Sequence, residues 1–98
     1  MPDAVSSEPV RLHAIVHGRV QGVNFRATSA QQARTLGIRG WIRNRIDGTV
    51  ETIAEGARPQ LLRFLDFLYK GPRSAAVTDV EVTWEDAQGE FDQFSIRL

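Results

Sequence analysis

The sequence contains no cysteine, which excludes disulfide bonds, thiolate nucleophiles and thiolate metal ligands. It also lacks any apolar run near the roughly 20 residues that a membrane-spanning helix needs. The first residues, from Met1 to Pro9, carry neither the basic nor the apolar region of a signal peptide. We therefore expect residues 1–9 to be a short disordered lead on a cytoplasmic protein without a membrane partner.

Acidic residues are missing from one long stretch of the chain, although the net charge of the whole sequence is zero. Between Val10 and Ile46 there are seven arginines and no Asp or Glu. This asymmetry favours an anionic ligand on the first half of the chain. Chance segregation of surface charges in a short sequence is the alternative.

The remaining 10–98 segment is short enough for one domain, and its first half has a clear hydrophobic pattern. Residues 10–17 alternate between apolar and polar side chains, which predicts a strand with one buried face. An alanine-rich stretch from Phe25 to Leu36 has helical spacing, and Gly37 is a typical helix stop. Two further strands, over 38–45 and 49–55, are predicted to form a hairpin around the Asp47-Gly48 turn.

The second half continues this pattern with a helix and two strands. The helix is predicted to begin near Pro59 and to end at Gly71-Pro72, with an apolar stripe of leucines and phenylalanines. Alternation over 80–85 predicts the next strand, and Phe94 begins a short terminal one. This βαββαβ order with an added strand is typical of a ferredoxin-like α+β fold. In that fold two helices cover one face of an antiparallel sheet.

The loop between the first strand and the first helix is the most informative segment. It contains Gly18 and Gly22, which free the backbone to turn and to present several N–H groups toward one point. The following helix adds unpaired N–H groups and the positive end of its dipole, and Arg26 lies in its first turn. These parts predict a pocket for a phosphate-sized anion. The structural alternative is a tight connection with a solvated arginine.

Other phosphate and metal chemistries lack their residues. No Gly-Lys-Ser/Thr follows the loop, so a nucleoside-triphosphate-binding loop is excluded. His13 and His17 share a strand face without an acid nearby in sequence, so we predict solvent-facing histidines and no metal site. Asn44 is predicted on the same face as Ile42, under the helices, where its amide must find partners. Those partners could be structural groups of the hairpin or catalytic ones.

Two long motifs resemble the acylphosphatase family. The first is Gly-Arg-Val-Gln-Gly-Val-Asn-Phe-Arg from Gly18 to Arg26, and the second runs from Leu36 to Asn44 and on through Asp47 to Glu51. The similarity continues at Gly71-Pro72-Arg73-Ser74-Ala75 and covers about residues 10–98. Because both motifs occur at the right separation and in the matching element order, the resemblance is specific.

The resemblance implies an enzyme that hydrolyses the carboxyl–phosphate bond of small-molecule acyl phosphates, without a cofactor or metal. Arg26 matches the arginine that binds the substrate phosphate, and Asn44 the asparagine that positions the attacking water. The backbone N–H groups of the loop match the phosphate cradle, which comprises Gly18, Arg19, Val20, Gln21, Gly22 and Val23. Asn24 stands where the family often has an aromatic or small residue, a departure that bears on specificity at the site rim more than on activity. Ser29 stands where a threonine is common, and its hydroxyl can still make a supporting hydrogen bond. We expect a monomer.

Two other functions share the predicted fold. One is a non-catalytic anion-binding or regulatory domain, for which the retention of both Arg26 and Asn44 is unfavourable. The other is an RNA-recognition domain, which would need aromatic side chains on the open sheet face. Trp84 and Phe94 are predicted to face the core, which leaves Trp41 alone. We therefore expect no nucleic-acid partner.

Overall fold

The computed structural model describes residues 8–98. These form five strands and two helices in the predicted order: β1 (Pro9–Arg19), α1 (Phe25–Thr35), β2 (Arg39–Asn44), β3 (Val50–Ala57), α2 (Arg58–Lys70), β4 (Ala76–Asp86) and β5 (Phe94–Arg97). The predicted lead lies mostly outside the described residues. Its last residue, Pro9, already pairs with Ala57 as the start of β1.

The strands form one mixed sheet in the order β4-β1-β3-β2-β5. The first four are antiparallel as predicted, but β5 runs parallel to β2, with Phe94 opposite Gly40. The prediction of a wholly antiparallel sheet was therefore wrong for the last strand. Strand β4 ends beside Val10, at the end of the sheet opposite to Asn44. The connection over 87–93 crosses the sheet at that end, so β5 starts beside Gly40 and runs in the direction of β2.

Both helices pack on the face of the sheet that the strand alternation predicted to be buried. Helix α1 contacts β2 and β5, and α2 contacts β1, β3 and β4. The apolar stripe of α2 is buried at Leu61, Phe64 and Leu68. The rings of Phe64 and Phe94 meet edge to face with centroids 5.7 Å apart. The two helices thus leave the opposite face of the sheet open.

The β2–β3 hairpin turns at Asp47-Gly48, as predicted. Gly48 has a φ of 92°, and the Asp47 carboxylate accepts hydrogen bonds from the Thr49 hydroxyl at 2.6 Å and the Thr49 N–H at 3.0 Å. These bonds to Thr49 hold the pKa of Asp47 below its ordinary value. The turn therefore fixes the end of β2, where Asn44 lies.

Histidines on the open face pair with carboxylates of neighbouring strands. His13 Nε2 lies 2.7 Å from Glu51 Oε2, and His17 Nε2 lies 2.5 Å from Glu81 Oε2. The sequence has no acid close to either histidine, and the sheet brings these partners together from 38 and 64 residues away. Residues 8–98 contain no group of three or more His, Cys, Asp or Glu side chains placed to hold a metal.

Aromatic residues on the sheet follow the predicted faces. Phe94 is buried, and Trp84 is half-buried against the core. Trp41 lies on the open face, where the guanidinium carbons of Arg43 and Arg97 are 5.5 and 4.7 Å from its ring centroid. Trp41 is thus already in contact with two arginines of this chain.

A buried carboxylate anchors the β4–β5 connection to the sheet. Glu55 in β3 is 6% exposed and accepts hydrogen bonds from Arg11 Nε at 2.8 Å and from the N–H groups of Gln88 at 2.7 Å and Gly89 at 3.1 Å. Burial disfavours its charged form, but the bonds from Gln88, Arg11 and Gly89 outweigh burial and lower its pKa. The folded state therefore holds Glu55 ionised.

This anchor predicts a pH-dependent stability. The pKa of Glu55 is lower folded than unfolded, so its contribution is present above its ordinary value of 4.5 and is lost as the pH falls through the folded pKa. Glu55→Gln should lower the free energy of unfolding at pH 7 by about 1.5–3 kcal/mol, the range for hydrogen bonds to charged groups. Urea denaturation of both proteins from pH 7 to pH 3 measures this difference, which should shrink below pH 4.5.

The matched control for this anchor is Glu85→Gln. Glu85 is an exposed acid of β4 and has no ion pair with the part of the chain that the structure describes. Its substitution should change stability by less than about 0.5 kcal/mol. A Glu55→Gln difference that stays constant from pH 7 to pH 3 would contradict the anchoring role.

Candidate active site

A cavity of about 800 Å³ opens at the sheet edge where β1 and β2 end. It is lined by the loop before α1, the first turn of α1, the ends of β2 and β5, and the loop between α2 and β4: Val20, Gly22, Val23, Asn24, Phe25, Arg26, Ala27, Thr28, Asn44, Pro72, Arg73, Ser74 and Ile96. Two of the lining residues are charged, Arg26 and Arg73, and no carboxylate of residues 8–98 lines the cavity. The cavity is therefore suited to an anion.

The loop into α1 lines this cavity with Val20, Gly22, Val23 and Asn24. Gly22 and Asn24 have left-handed backbones, with φ values of 71° and 63°, so the chain turns sharply on either side of Val23. No side chain caps α1, and its first turn contains no acid. No N–H from Val20 to Ala27 donates to another group of the described chain. Unpaired N–H groups beside the positive end of a helix dipole are the groups that anion-binding loops use.

The left-handed backbone explains the asparagine at position 24. Apart from glycine, asparagine is among the residues that tolerate this conformation best. The Asn24 carbonyl accepts hydrogen bonds from the Thr28 N–H at 3.1 Å and the Thr28 hydroxyl at 2.8 Å, which start the helix. Sequence reasoning treated Asn24 as a residue of the site rim. It lines the cavity, but its backbone also sets the entry into α1.

Arg26 lies in the first turn of α1 with its guanidinium braced against β5. Its Nη1 donates a hydrogen bond to the carbonyl oxygen of Arg97 at 3.0 Å. The other guanidinium N–H groups make no hydrogen bond with residues 8–98. Half-buried and held at one end, the side chain can present a planar pair of donors to an anion in the cavity.

Asn44 ends β2 and lines the same cavity as Arg26. It shares the helix-covered face with buried Ile42, as strand parity predicted. Its side-chain oxygen is shielded from solvent and has no hydrogen-bond partner in the described chain. A buried amide oxygen normally has a partner, so this atom marks a hydrogen bond that the described chain leaves unmade beside the cavity.

Not every residue of the predicted cradle reaches the cavity. Val20, Gly22 and Val23 line it, whereas Gly18 and Arg19 are the last residues of β1 and pair with Val77 and Ala76. At Gly18, a Cβ would lie 2.1 Å from the carbonyl oxygen of Ala76. This glycine therefore permits close approach of β4 at a register shift of β1, a structural reason for its place in the motif.

Gln21 points away from the cavity and binds the β2–β3 hairpin instead. Its amide Nε2 donates to the carbonyl oxygens of Arg45 at 2.8 Å and Thr49 at 2.9 Å. Arg45 directly follows Asn44, and its N–H donates to the carbonyl of Thr49 at 2.8 Å. The loop that lines the cavity is thus tied to the strand end that carries Asn44. This connection has no signal in the local sequence.

The supporting hydrogen bond expected from Ser29 is not formed with any described residue. Ser29 is fully buried in α1, and its hydroxyl has no partner. The hydroxyl of the neighbouring Thr28 instead donates to the carbonyls of Asn24 at 2.8 Å and Phe25 at 3.2 Å.

Neither helix of residues 8–98 has the length and apolarity that a membrane span requires.

Comparisons with known proteins match the sequence and the fold of this chain to one family. Residues 12–96 match the family model described as Acylphosphatase. A relative named Acylphosphatase from Pelotomaculum thermopropionicum is 48% identical over 86 residues, which cover 88% of this chain and 94% of the relative. The crystal structure of acylphosphatase from Bacillus subtilis is similar with a TM-score of 0.88 and 37% identity, covering 91% of this chain and 99% of that chain.

A larger protein contains a similar part. The structure of T.kodakarensis HypF matches with a TM-score of 0.77 and 30% identity, covering 89% of this chain but 12% of that chain. The likeness to the Bacillus and Pelotomaculum proteins instead extends over nearly the whole of each.

Proposed function

This chain belongs to the acylphosphatase family and is an enzyme that hydrolyses acyl phosphates, and we propose how its residues do so. Arg26 and the backbone of the loop from Val20 to Val23 bind the phosphoryl group, and Asn44 positions the attacking water. The observation that supports this most directly is that Arg26 and Asn44 line one cavity, each with polar atoms that no described residue uses.

The chemistry of the leaving group explains why so few residues suffice. A carboxylate is a stable leaving group, because its conjugate acid has a pKa of about 4. No side chain needs to protonate it. Catalysis can then depend on holding the phosphoryl group and water in line and on stabilising charge in the transition state.

In the proposed reaction, the water oxygen attacks phosphorus while the bond from phosphorus to the acyl oxygen breaks. The electron pair of that bond leaves with the carboxylate, and the proton of the water passes to a non-bridging phosphate oxygen. Arg26 and the loop N–H groups neutralise the equatorial oxygens, while the Asn44 amide oxygen accepts a hydrogen bond from the water. This route needs no side-chain base. The cavity lining contains neither a carboxylate nor a histidine among the described residues.

We also propose an oligomeric state and a location for this enzyme. Every residue it uses comes from one chain, so we propose that the enzyme acts as a monomer, which light scattering can check. A cytoplasmic location is supported by the absence of cysteine, which is compatible with a reducing compartment.

Hydrolysis of benzoyl phosphate in the presence of a chelator tests this function. We expect fast release of inorganic phosphate that a chelator does not slow. Activity that disappears with the chelator and returns with a divalent cation would contradict the metal-free route. Binding of inorganic phosphate without turnover would favour a regulatory anion-binding domain on the same fold.

The tie between Gln21 and the hairpin leads to a further prediction. Gln21→Glu replaces the donor amide with a carboxylate that faces two carbonyl oxygens, so the end of β2 should shift away from the loop. We expect kcat for benzoyl phosphate to fall about tenfold to a hundredfold, because a small misplacement of a positioning group has effects of this size. Competitive inhibition by phosphate should change much less, since Arg26 and the loop N–H groups are retained.

Gln31→Glu provides the control for the added charge. Gln31 is exposed on α1 and lies outside the cavity lining. It should leave kcat unchanged. If Gln21→Glu raised KM and left kcat intact, the loop would need this amide for binding and not for positioning Asn44.

A further inference from the structure

The cavity has two flanks, which are separated by the phosphate-binding loop. On one flank is Asn44, at the end of β2. On the other is the loop over Pro72 to Ser74, which leads into β4. In the sheet, β1 and β3 lie between β4 and β2, and the phosphate-binding loop leaves from β1. The strand order therefore places Asn44 and the Pro72–Ser74 loop on opposite sides of the cradle.

An in-line displacement assigns a different partner to each flank. The entering water and the leaving carboxylate must lie on opposite sides of phosphorus. With water held at Asn44, the acyl group points toward the Pro72–Ser74 loop. This step rests on the proposed function, because it takes Asn44 as the residue that positions water.

The Pro72–Ser74 loop is attached to the cradle and so has a defined position beside it. The Ser74 hydroxyl donates to the carbonyl oxygen of Val23 at 3.2 Å. The Ala75 N–H donates to the carbonyl of Pro72 at 3.0 Å, which closes the turn. The loop that faces the acyl group is thus hydrogen-bonded to the loop that binds phosphate.

Arg73 is the charged residue on the acyl flank. It lines the cavity, its side chain is exposed, and it makes no hydrogen bond or ion pair with residues 8–98. Arg26, by contrast, is braced by the carbonyl of Arg97. Since no acid within the described chain lines the cavity, Arg73 is free to meet negative charge that arrives with the substrate.

We infer that Arg73 is a specificity residue for the acyl half of the substrate. It binds an anionic group carried by the acyl chain, beyond the phosphoryl group that Arg26 and the cradle hold. The enzyme then favours acyl phosphates with a second negative charge, such as the monoacyl phosphate of a dicarboxylic acid, over those with a neutral acyl group.

A comparison of two substrates tests this inference. Benzoyl phosphate has a neutral acyl group, and succinyl phosphate carries a second carboxylate. For Arg73→Gln we expect kcat/KM for succinyl phosphate to fall about three- to tenfold, the effect of an exposed charge pair supported by a hydrogen bond. The value for benzoyl phosphate should change by less than about twofold, and Arg73→Lys should keep much of the preference.

Arg63→Gln is the matched control, because Arg63 is an exposed arginine of α2 outside the cavity lining. It should leave both substrates unaffected. Equal losses on both substrates with Arg73→Gln would overturn the inference and place Arg73 on the phosphoryl group or the departing carboxylate. No loss on either would overturn it as well. Failure of the proposed role of Asn44 gives a different result, because Asn44→Ala would then keep near-normal turnover of both substrates.

Discussion

Arg26→Ala should abolish measurable phosphate binding and reduce hydrolysis of benzoyl phosphate by about 10³-fold or more, the lower end of what a transition-state arginine contributes in phosphoryl transfer. Arg26 lines the cavity together with the loop before α1, and its guanidinium is braced at Arg97. Alanine removes both the positive charge and the planar donors. Isothermal titration with phosphate and a turnover assay measure the two effects.

Two further variants separate charge from structure. Arg26→Lys keeps the positive charge but loses the paired donors, so we expect weak phosphate binding and low turnover. Arg63→Ala removes an exposed arginine outside the cavity and should be silent. Circular dichroism checks that each protein is folded, since Arg26→Ala also removes the bond to Arg97. Unchanged phosphate affinity in folded Arg26→Ala would show that the anion binds elsewhere.

Asn44→Ala should remove turnover while leaving phosphate binding largely intact. The expected loss in kcat is about 10²–10³-fold, as for removal of one preorganised polar group in an active site. The physical reason is that Asn44 lines the cavity with an amide oxygen that has no partner in the described chain, whereas the proposed phosphate ligands are Arg26 and the loop backbone. Steady-state kinetics with phosphate as a competitive inhibitor gives both quantities from one experiment.

The contrast between the two alanine variants is the sharpest test of the proposed roles. Arg26→Ala should lose binding and turnover together, and Asn44→Ala should lose only turnover. Gln93→Ala, an exposed amide before β5 that lies outside the cavity lining, is the control for loss of a side-chain amide. If Asn44→Ala retained near-normal turnover, the water-positioning role would be wrong.

The charge asymmetry of the sequence pointed to an anionic ligand, but most of the arginines serve the fold. Of the seven between Val10 and Ile46, only Arg26 lines the cavity. Arg11, Arg43 and Arg45 pair with Glu55, Glu51 and Asp47, and Arg34 donates to the carbonyl of Phe94. Their acidic partners come from β3 and the turn before it, where the acids of the next stretch of sequence lie. Three of the seven arginines are therefore halves of ion pairs with acids of β3 and the turn before it.

Local pattern was sufficient where a property depends on neighbouring residues. Alternation predicted the buried faces of the strands, and with them the position of Asn44 beside Ile42 under the helices. The glycines of the loop predicted a sharp turn before the helix, and helical position placed Arg26 in its first turn. These features follow from the periods of strands and helices and from the backbone freedom of glycine, which the chain encodes locally.

The tertiary structure alone decided which distant groups meet. It set β5 parallel to β2, so that the carbonyl of Arg97 braces Arg26. It joined Gln21 to the hairpin, although 24 residues separate it from Arg45. It also put Asn44 and Arg73 on opposite flanks of the cradle. Such contacts depend on strand order and on the course of the connections, and these arise from packing of the whole chain, which no single segment encodes.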